Sequence, residues 1–145
     1  MSTFLNDLRL EEIGSGERSG TWGTATNTNL SIIAEAFSYG TETIGDANTT
    51  ITMADATSDE ARSLYLKITS SANLTTTRVI TLGPSIVSKV WIIENATSGS
   101  QVITIKQGSG ATVNIPNGSV KVIATDGGGT SGAVFDLFTD LDVAG

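Results

Sequence analysis

The sequence contains no histidine and no cysteine, and these absences exclude several kinds of chemistry. Without histidine there is no Ser-His-Asp or Cys-His catalytic group and no imidazole ligand for a metal. Without cysteine there is no disulfide, no thiolate zinc site and no iron–sulfur cluster, which is consistent with synthesis in a reducing cytosol. We therefore expect a protein that is not an enzyme and that has no cofactor and no metal site.

Charge is also scarce, because only 16% of the residues are charged, against an average of about 25%. Threonine, serine and glycine are abundant instead, and threonine favours strands whereas serine and glycine favour turns. A chain of 145 residues with 39% hydrophobic residues is long enough for one domain with a core of its own. No apolar run approaches the roughly 20 residues of a membrane span, and the N-terminus lacks the features of a signal peptide. We expect no membrane insertion.

The charges are distributed unevenly along the chain. Residues 1–60 hold two basic and ten acidic groups, a net charge of −8. Residues 61–125 hold six basic groups and one acid, a net charge of +5, and residues 126–145 hold four acids. The overall charge of −7 makes nucleic acid an unfavourable partner. The oppositely charged segments either attract one another, within or between subunits, or simply face solvent.

A short amphipathic helix is predicted over residues 30–40. Thr28 or Asn29 is a suitable N-cap, and Gly40 is a suitable C-terminal stop. The apolar side chains at helical spacing are Leu30, Ile33 and Phe37. A helix of this length is not stable alone, so this face must pack on another surface.

From about residue 41 the hydrophobic period changes to two, which indicates strands. The predicted strands are Thr49–Ala54, Ser63–Thr69, Arg78–Leu82, 88–94, 101–106, 111–115, 119–125 and Ala133–Phe138. Gly108-Ser109-Gly110 and Asn117-Gly118 carry hairpin turn chemistry. Turns every 8–12 residues favour a mainly β fold, an antiparallel β-sandwich or jelly-roll-like module with one short helix and an extended N-terminal arm. No sequence repeat of 20–50 residues is visible, which argues against a solenoid.

This pattern divides the chain into an arm at residues 1–29, a helix at 30–40 and a β-sandwich body at 41–145. In the arm, Leu8, Leu10 and Ile13 lie in a segment that can form a short strand. Residues 14–23 contain four glycines and predict a loop.

Two predicted strands are apolar on both faces. One contains Val90-Trp91-Ile92-Ile93, and the other spans Val134–Phe138. In a two-layer sandwich one face of each sheet should be exposed to solvent. A strand that is apolar on both faces therefore needs a second layer packed on its outer face. Either the predicted helix or another subunit supplies it.

The segment from Leu8 to Leu30 resembles the opening of tail-fibre and other virion structural proteins of tailed bacteriophages, notably marine podoviruses. The residues that carry this resemblance are Leu8, Leu10, Ile13, Gly14, Gly16, Gly20, Thr21, Trp22, Gly23, Thr26, Asn27, Thr28, Asn29 and Leu30.

The resemblance implies a structural part of a phage particle, located in the virion and assembled in the cytoplasm of the bacterial host. Such a part is either a tail-fibre or tail-appendage component or a capsid decoration protein. It would dock on other virion proteins through its N-terminal arm and associate with itself, as a homotrimer. We place the interface on Leu8, Leu10, Ile13, Trp22, Leu30, Ile33 and Phe37.

Trp22 stands among glycines in an otherwise polar segment. It serves either as an anchor in a pocket of a neighbouring protein or as a cover for one end of its own sandwich. Trp91 lies within a predicted strand and is expected in the core.

The alternative function is a carbohydrate-binding module that recognises host surface glycans. Tyr65 and Lys67 are its candidate contacts, because a partly exposed tyrosine can stack on a sugar ring. A hydrolase is a weaker alternative, because the pairs Glu11/Glu12 and Asp59/Glu60 are adjacent in sequence. Adjacent strand residues point to opposite faces, so neither pair alone can flank a glycosidic bond.

Overall fold

The computed structural model describes residues 1–139 and has one helix and nine strands in that part of the chain. The elements in chain order are α1 (Trp22–Glu35), β1 (Tyr39–Ile44), β2 (Thr49–Thr52), β3 (Tyr65–Ser70), β4 (Arg78–Gly83), β5 (Val90–Asn95), β6 (Ile103–Lys106), β7 (Val113–Ile115), β8 (Val120–Thr125) and β9 (Val134–Asp136). Short 3-10 turns lie at Glu60–Arg62 and Gly129–Ser131. The mainly β composition with one helix is confirmed.

Two mixed sheets share one hydrophobic core. The five-stranded sheet has the order β1-β3-β5-β8-β9, and the four-stranded sheet has the order β2-β4-β6-β7. Core side chains from both sheets form a single cluster, and Leu66, Ile80, Ile93 and Ile105 are fully buried within it. Trp91 is also in the core, as expected, where it is 3% exposed and its Nε1 donates to the Ala61 carbonyl at 2.9 Å.

The expected antiparallel pairing holds only for the later strands. β1, β3 and β5 pair in parallel, and so do β2, β4 and β6, whereas β7, β8 and β9 join their neighbours antiparallel. The cause is the path of the chain, which crosses from one sheet to the other after each of the first five strands. A strand that returns to its sheet after such a crossover runs in the same direction as its predecessor.

This winding places strands one above another, a regularity that the sequence does not display. Tyr39, Tyr65 and Ile92 are neighbours in the five-stranded sheet at separations of 26 and 27 residues. Thr49, Ile80 and Ile105 are neighbours in the other sheet at separations of 31 and 25 residues. The absence of a sequence repeat therefore does not exclude strands that stack as they do in a solenoid. The spacings between stacked residues are unequal, so they leave no fixed period in the sequence.

Both predicted turns exist, but only one of them joins the two strands of an antiparallel pair. The turn at 108–110 joins β6 and β7 as an antiparallel pair, as expected. The Asn117-Gly118 turn does not make a hairpin, because β7 and β8 lie in different sheets. Gly118 has φ of 78°, and its N–H donates to the Asn95 carbonyl, so the turn carries the chain across the end of the core.

The helix begins eight residues before the predicted start and ends earlier. Its N-cap is Thr21, without a side-chain cap bond, rather than Thr28 or Asn29. Gly40 is not the stop, because it lies inside β1, where a Cβ would come 3.0 Å from the Glu60 carbonyl. The strand β1 itself was missed, although Tyr39, Thr41 and Thr43 alternate with buried or half-buried residues.

The N-terminal segment 1–21 is folded onto the body by hydrogen bonds, not extended. It contains turns and one isolated bridge between Thr3 and Glu12, and no strand forms around Leu10. Asp7 accepts from the Ser88 N–H at 2.8 Å, and Arg9 pairs with Asp55 at 2.7 Å. The division of the chain at residues 29 and 40 stays a prediction.

Candidate functional site

The N-terminal segment fixes which side of α1 faces the protein. The Asn29 side chain donates to the Glu11 carbonyl and accepts from the Glu11 N–H, both at 3.0 Å. Glu11 is itself held by Arg18 through two bonds of 2.7 and 2.8 Å, and the Arg18 bond is the main cause that lowers the pKa of Glu11. The helix therefore buries Ala25 and Ile32, on the side that also carries Asn29.

A second anchor is the guanidinium of Arg62, which is fully buried. It donates to the Leu8 carbonyl at 2.8 Å and to the Glu35 carboxylate at 3.3 Å, and also to the carbonyls of Thr57 and Ala54. One side chain thus joins the N-terminal segment, the end of α1 and the loop after β2.

Leu30 and Ile33, two of the apolar residues predicted for the helix, lie on one side of α1 together with Trp22, which was predicted in a loop. Separations of eight and three residues put these three side chains within about 80° of one another around the helix axis, and Phe37 lies in the turn just after the helix ends. We call this set the α1 stripe: Trp22, Leu30, Ile33 and Phe37. Trp22 is 65% exposed, Leu30 59% and Phe37 75%, while Ile33 is half-buried. Trp22 consequently does not cover an end of its own sandwich.

The other predicted interface residues are less exposed. Leu8 and Leu10 are half-buried, and Ile13 is 37% exposed. The structure therefore separates the predicted interface set into an exposed helical part and a partly packed N-terminal part.

The outer face of the five-stranded sheet is the second exposed apolar surface. The apolar side chains on β5, β8 and β9 that point away from the core, with the residue after β9, form what we call the apolar patch: Val90, Ile92, Val120, Val122, Ala124, Phe135 and Leu137. Four of them are 42–48% exposed, namely Val90, Val120, Phe135 and Leu137. Two of these strands, β5 and β9, are the ones predicted from sequence to be apolar on both faces, and β8 lies between them.

A pair of stacked tyrosines lies across the same face, at its β1 edge. The rings of Tyr39 and Tyr65 are 5.2 Å apart between centroids and 12° from parallel. The Tyr65 hydroxyl donates to Glu94 at 2.8 Å, and this bond is the main cause that raises the pKa of Tyr65. Tyr65 lies between Tyr39 and Ile92 in the register, whereas Tyr39 is on the edge strand and is 60% exposed. Lys67 is half-buried, directly beside Glu94.

Three carboxylates, those of Glu42, Asp59 and Glu60, lie within 4.8 Å of one another. Burial is the main cause that raises the pKa of Glu42, and the other two carboxylates add to it. Asp59 already accepts from the N–H groups of Ala54 and Ala61 at 2.9 and 3.0 Å. Its oxygens therefore have a structural role in capping the turn that follows, and we assign no cation to the group.

The acidic segment 126–145 extends beyond the described residues, which end at 139. Asp136 pairs with Lys121 at 3.0 Å, which lowers its pKa, while Asp140 and Asp142 lie outside the described range. The oppositely charged segments 1–60 and 61–125 attract one another within the chain. Arg62 pairs with Glu35, and Arg78 pairs with Asp46.

A groove of about 290 Å³ runs beside α1 and is lined by Glu11, Arg18, Thr28 and Asn29, among others. Its two charged groups bind each other, so neither is free to act on a ligand. Sequence reasoning found the α1 stripe and the doubly apolar strands but missed Tyr39, Asn29 and Arg62. The alternation through β1 is the signal that could have located Tyr39.

No protein-family model, curated protein or solved structure matches this chain. Among residues 1–139 no helix combines the length and apolar character that a membrane crossing needs. The functional argument therefore rests on the surfaces described above.

Proposed function

We propose that this chain is a non-enzymatic structural protein of a tailed-phage particle, which docks on the particle through its N-terminal segment and the α1 stripe. It is a tail-fibre or tail-appendage component or a capsid decoration protein, and its location is the virion. The observation that carries the proposal is the exposure of Trp22 and Leu30 on one side of the helix and of Phe37 just beyond its end. Large apolar side chains exposed together mark interaction surfaces, and tryptophan is a frequent anchor in them.

The charge around the stripe indicates the kind of partner. Residues 1–60 carry a net charge of −8, and α1 itself has no basic residue in its last turn. An apolar groove bordered by basic side chains on a neighbouring virion protein would complement this surface. The resemblance of residues 8–30 to virion proteins points to the same class of partner.

The test is immunogold electron microscopy of purified particles, with an antibody against this chain. Label along the tail or its appendages identifies a fibre component, and label over the capsid identifies a decoration protein. Particles without label would contradict the proposal. Leu30→Asp should abolish incorporation, whereas Ile86→Asp, at a residue that is 44% exposed in the loop between β4 and β5, should not.

Glycan binding is a second candidate function, and the tyrosine stack is the observation that favours it. Because Tyr65 covers one side of the Tyr39 ring, the other side faces outward from the edge of the sheet. A pyranose ring stacks on such a surface, with the Thr41 hydroxyl and the Lys67 ammonium as hydrogen-bonding groups nearby in the sheet. In this candidate site the Tyr39 ring contacts the sugar and Tyr65 stacks behind it. Tyr65, rather than Tyr39, was the contact residue predicted from sequence.

Titration of host lipopolysaccharide into the protein tests this candidate. Tyr39→Ala should abolish binding, while Phe37→Ala, which removes an aromatic side chain that is even more exposed, should leave it unchanged. Equal loss in both variants, or no binding by the unmodified protein, would reject a glycan site at Tyr39.

A further inference from the structure

The apolar patch on the outer face of the five-stranded sheet has no cover within the described part of the chain. The patch residues on β5 and β8 are direct neighbours, since Val90 lies beside Ala124 and Ile92 beside Val122. Phe135 on β9 lies beside Ala124 and extends the surface toward the sheet edge. Soluble monomers rarely expose a contiguous apolar surface of this kind, because its hydration is unfavourable.

The helix does not provide the missing layer. Its C-terminal residue Glu35 is bound to Arg62, and its buried residue Ile32 belongs to the side that faces the N-terminal segment. The stripe on α1 is itself exposed, so neither apolar surface covers the other. Of the two covers that the sequence leaves open, the helix is therefore eliminated for residues 1–139.

The charges beside the patch favour a second copy as the occupant. Lys67 and Glu94 are direct neighbours on the outer face, and Glu94 is also the neighbour of Val120 at the border of the patch. A surface that carries one cation beside one anion is complementary to a rotated copy of itself, because each charge then meets the opposite charge. A partner of one dominant charge would have to leave one of the two unmatched.

We propose that the apolar patch is the interface between copies of this chain, with Lys67 of one copy facing Glu94 of the next. The proposal rests on the proposed structural role and deepens the self-association that the resemblance to virion proteins implies, and it does not require the α1 stripe. Tyr39 lies at the opposite edge of the sheet from β9, whereas Lys67 belongs both to the glycan candidate and to the border of this interface.

Sedimentation equilibrium of the full chain at micromolar concentration tests the proposal. The unmodified protein should sediment at two or three times the monomer mass of 15.0 kDa. Phe135→Asp should weaken association by about tenfold or more, because it places a charge in the apolar contact. Ile86→Asp is the matched control, since Ile86 is similarly exposed but lies outside the patch, and it should associate normally.

A charge exchange tests the predicted contact between copies. Lys67→Glu and Glu94→Lys should each weaken association, because each creates a pair of like charges across the interface. The double variant should recover most of the loss, and because Lys67 and Glu94 are also neighbours within one chain, the stability of each variant's monomer is compared at the same time. Circular dichroism of each variant establishes that its monomer is folded.

Several results would overturn the proposal. One is a monomer of unmodified protein throughout the micromolar range, and another is normal association of Phe135→Asp. Dissociation by Leu30→Asp instead of Phe135→Asp would assign self-association to the α1 stripe. Particle incorporation is measured separately from self-association. If a variant loses incorporation while its oligomer stays intact, neither interface is rejected, and the α1 stripe is identified as the docking site.

Discussion

Replacing Arg62 by methionine should uncouple the N-terminal segment from the rest of the protein. The guanidinium is fully buried and bonds the carbonyls of Leu8 and Thr57 at 2.8 and 2.7 Å and the Glu35 carboxylate at 3.3 Å. It also donates to the Ala54 carbonyl. Burial lowers the pKa of Arg62, and the nearby carboxylate of Glu35 opposes this shift, so the charge is retained by its partners.

The expected loss follows from what the substitution leaves behind. Methionine fills much of the same volume, but it leaves three carbonyls without their donor and the Glu35 carboxylate without its cation, with the Asp59 N–H still donating to it. Breaking a buried charged pair by removing one partner costs about 3–5 kcal/mol in free energy of unfolding. Because domains of this kind are stable by only about 5–15 kcal/mol, the variant should be severely destabilised.

Urea unfolding, followed by circular dichroism, measures the loss as a shift of the midpoint at unchanged slope. Arg62→Lys should fall between the unmodified protein and Arg62→Met, because it keeps the charge but cannot reach all four acceptors. Arg78→Met is the matched control, since its partner Asp46 is solvent-accessible, and it should lose clearly less stability. Amide hydrogen exchange should show faster exchange in residues 1–21 of Arg62→Met.

A loss below about 1 kcal/mol for Arg62→Met would refute this reasoning, since surface substitutions lie in that range. So would equal losses for Arg62→Met and Arg78→Met. Either result would mean that the N-terminal segment is held by other contacts, and that Arg62 does not decide its position.

Three further predictions concern a surface ion pair, a glycine and the two tryptophans. The bond from Arg78 is the main cause that lowers the pKa of Asp46 from 3.8 to about 2, so this group stabilises the fold above pH 3.8 and loses its effect as the pH falls through about 2. Asp46→Asn should reduce the slope of stability against pH in that window, as measured by acid titration of urea midpoints. Gly40→Ala should lower the thermal midpoint, because its Cβ would come 3.0 Å from a carbonyl oxygen; an unchanged midpoint would contradict the close packing of β1. Acrylamide should quench only part of the fluorescence, because Trp22 is 65% exposed and Trp91 is 3% exposed, and Trp22→Phe should remove the quenchable part.

Most of the strand pattern of this protein follows from local sequence, although β1 was missed. Leu66 and Ile68 alternate with polar residues, and the structure buries both completely. The doubly apolar run at Val90–Ile93 correctly marked a strand with a core face and a second apolar face, because side-chain alternation is fixed by the backbone. Leu30 and Phe37, which are exposed, and Ile33, which is half-buried, were likewise singled out from their spacing, although Phe37 lies beyond the end of the helix.

The start of the helix was beyond local sequence information. Gly23 and Thr26 are weak helix formers, so this segment reads as a loop. In the structure the helix nevertheless includes them, because Asn29 binds the backbone of Glu11 and Ala25 is buried. The tertiary contacts therefore stabilise this part of the helix by more than its weak helix formers destabilise it, and they decide where the helix begins.

What the sequence by itself determined is where every strand except β1 lies, which of the strand faces are apolar, and which catalytic chemistry is excluded by the missing residue types. Only the tertiary structure decided that β1, β3 and β5 stack in parallel, and that Tyr39 comes to lie against Tyr65 at a distance of 26 residues along the chain. The physical reason is that strand pairing depends on crossovers of unequal length, which leave no periodic trace. The tertiary structure also decided the position of Arg62, because its partners come from three separate segments. The arrangement that forms is the one in which these partners satisfy the single buried charge.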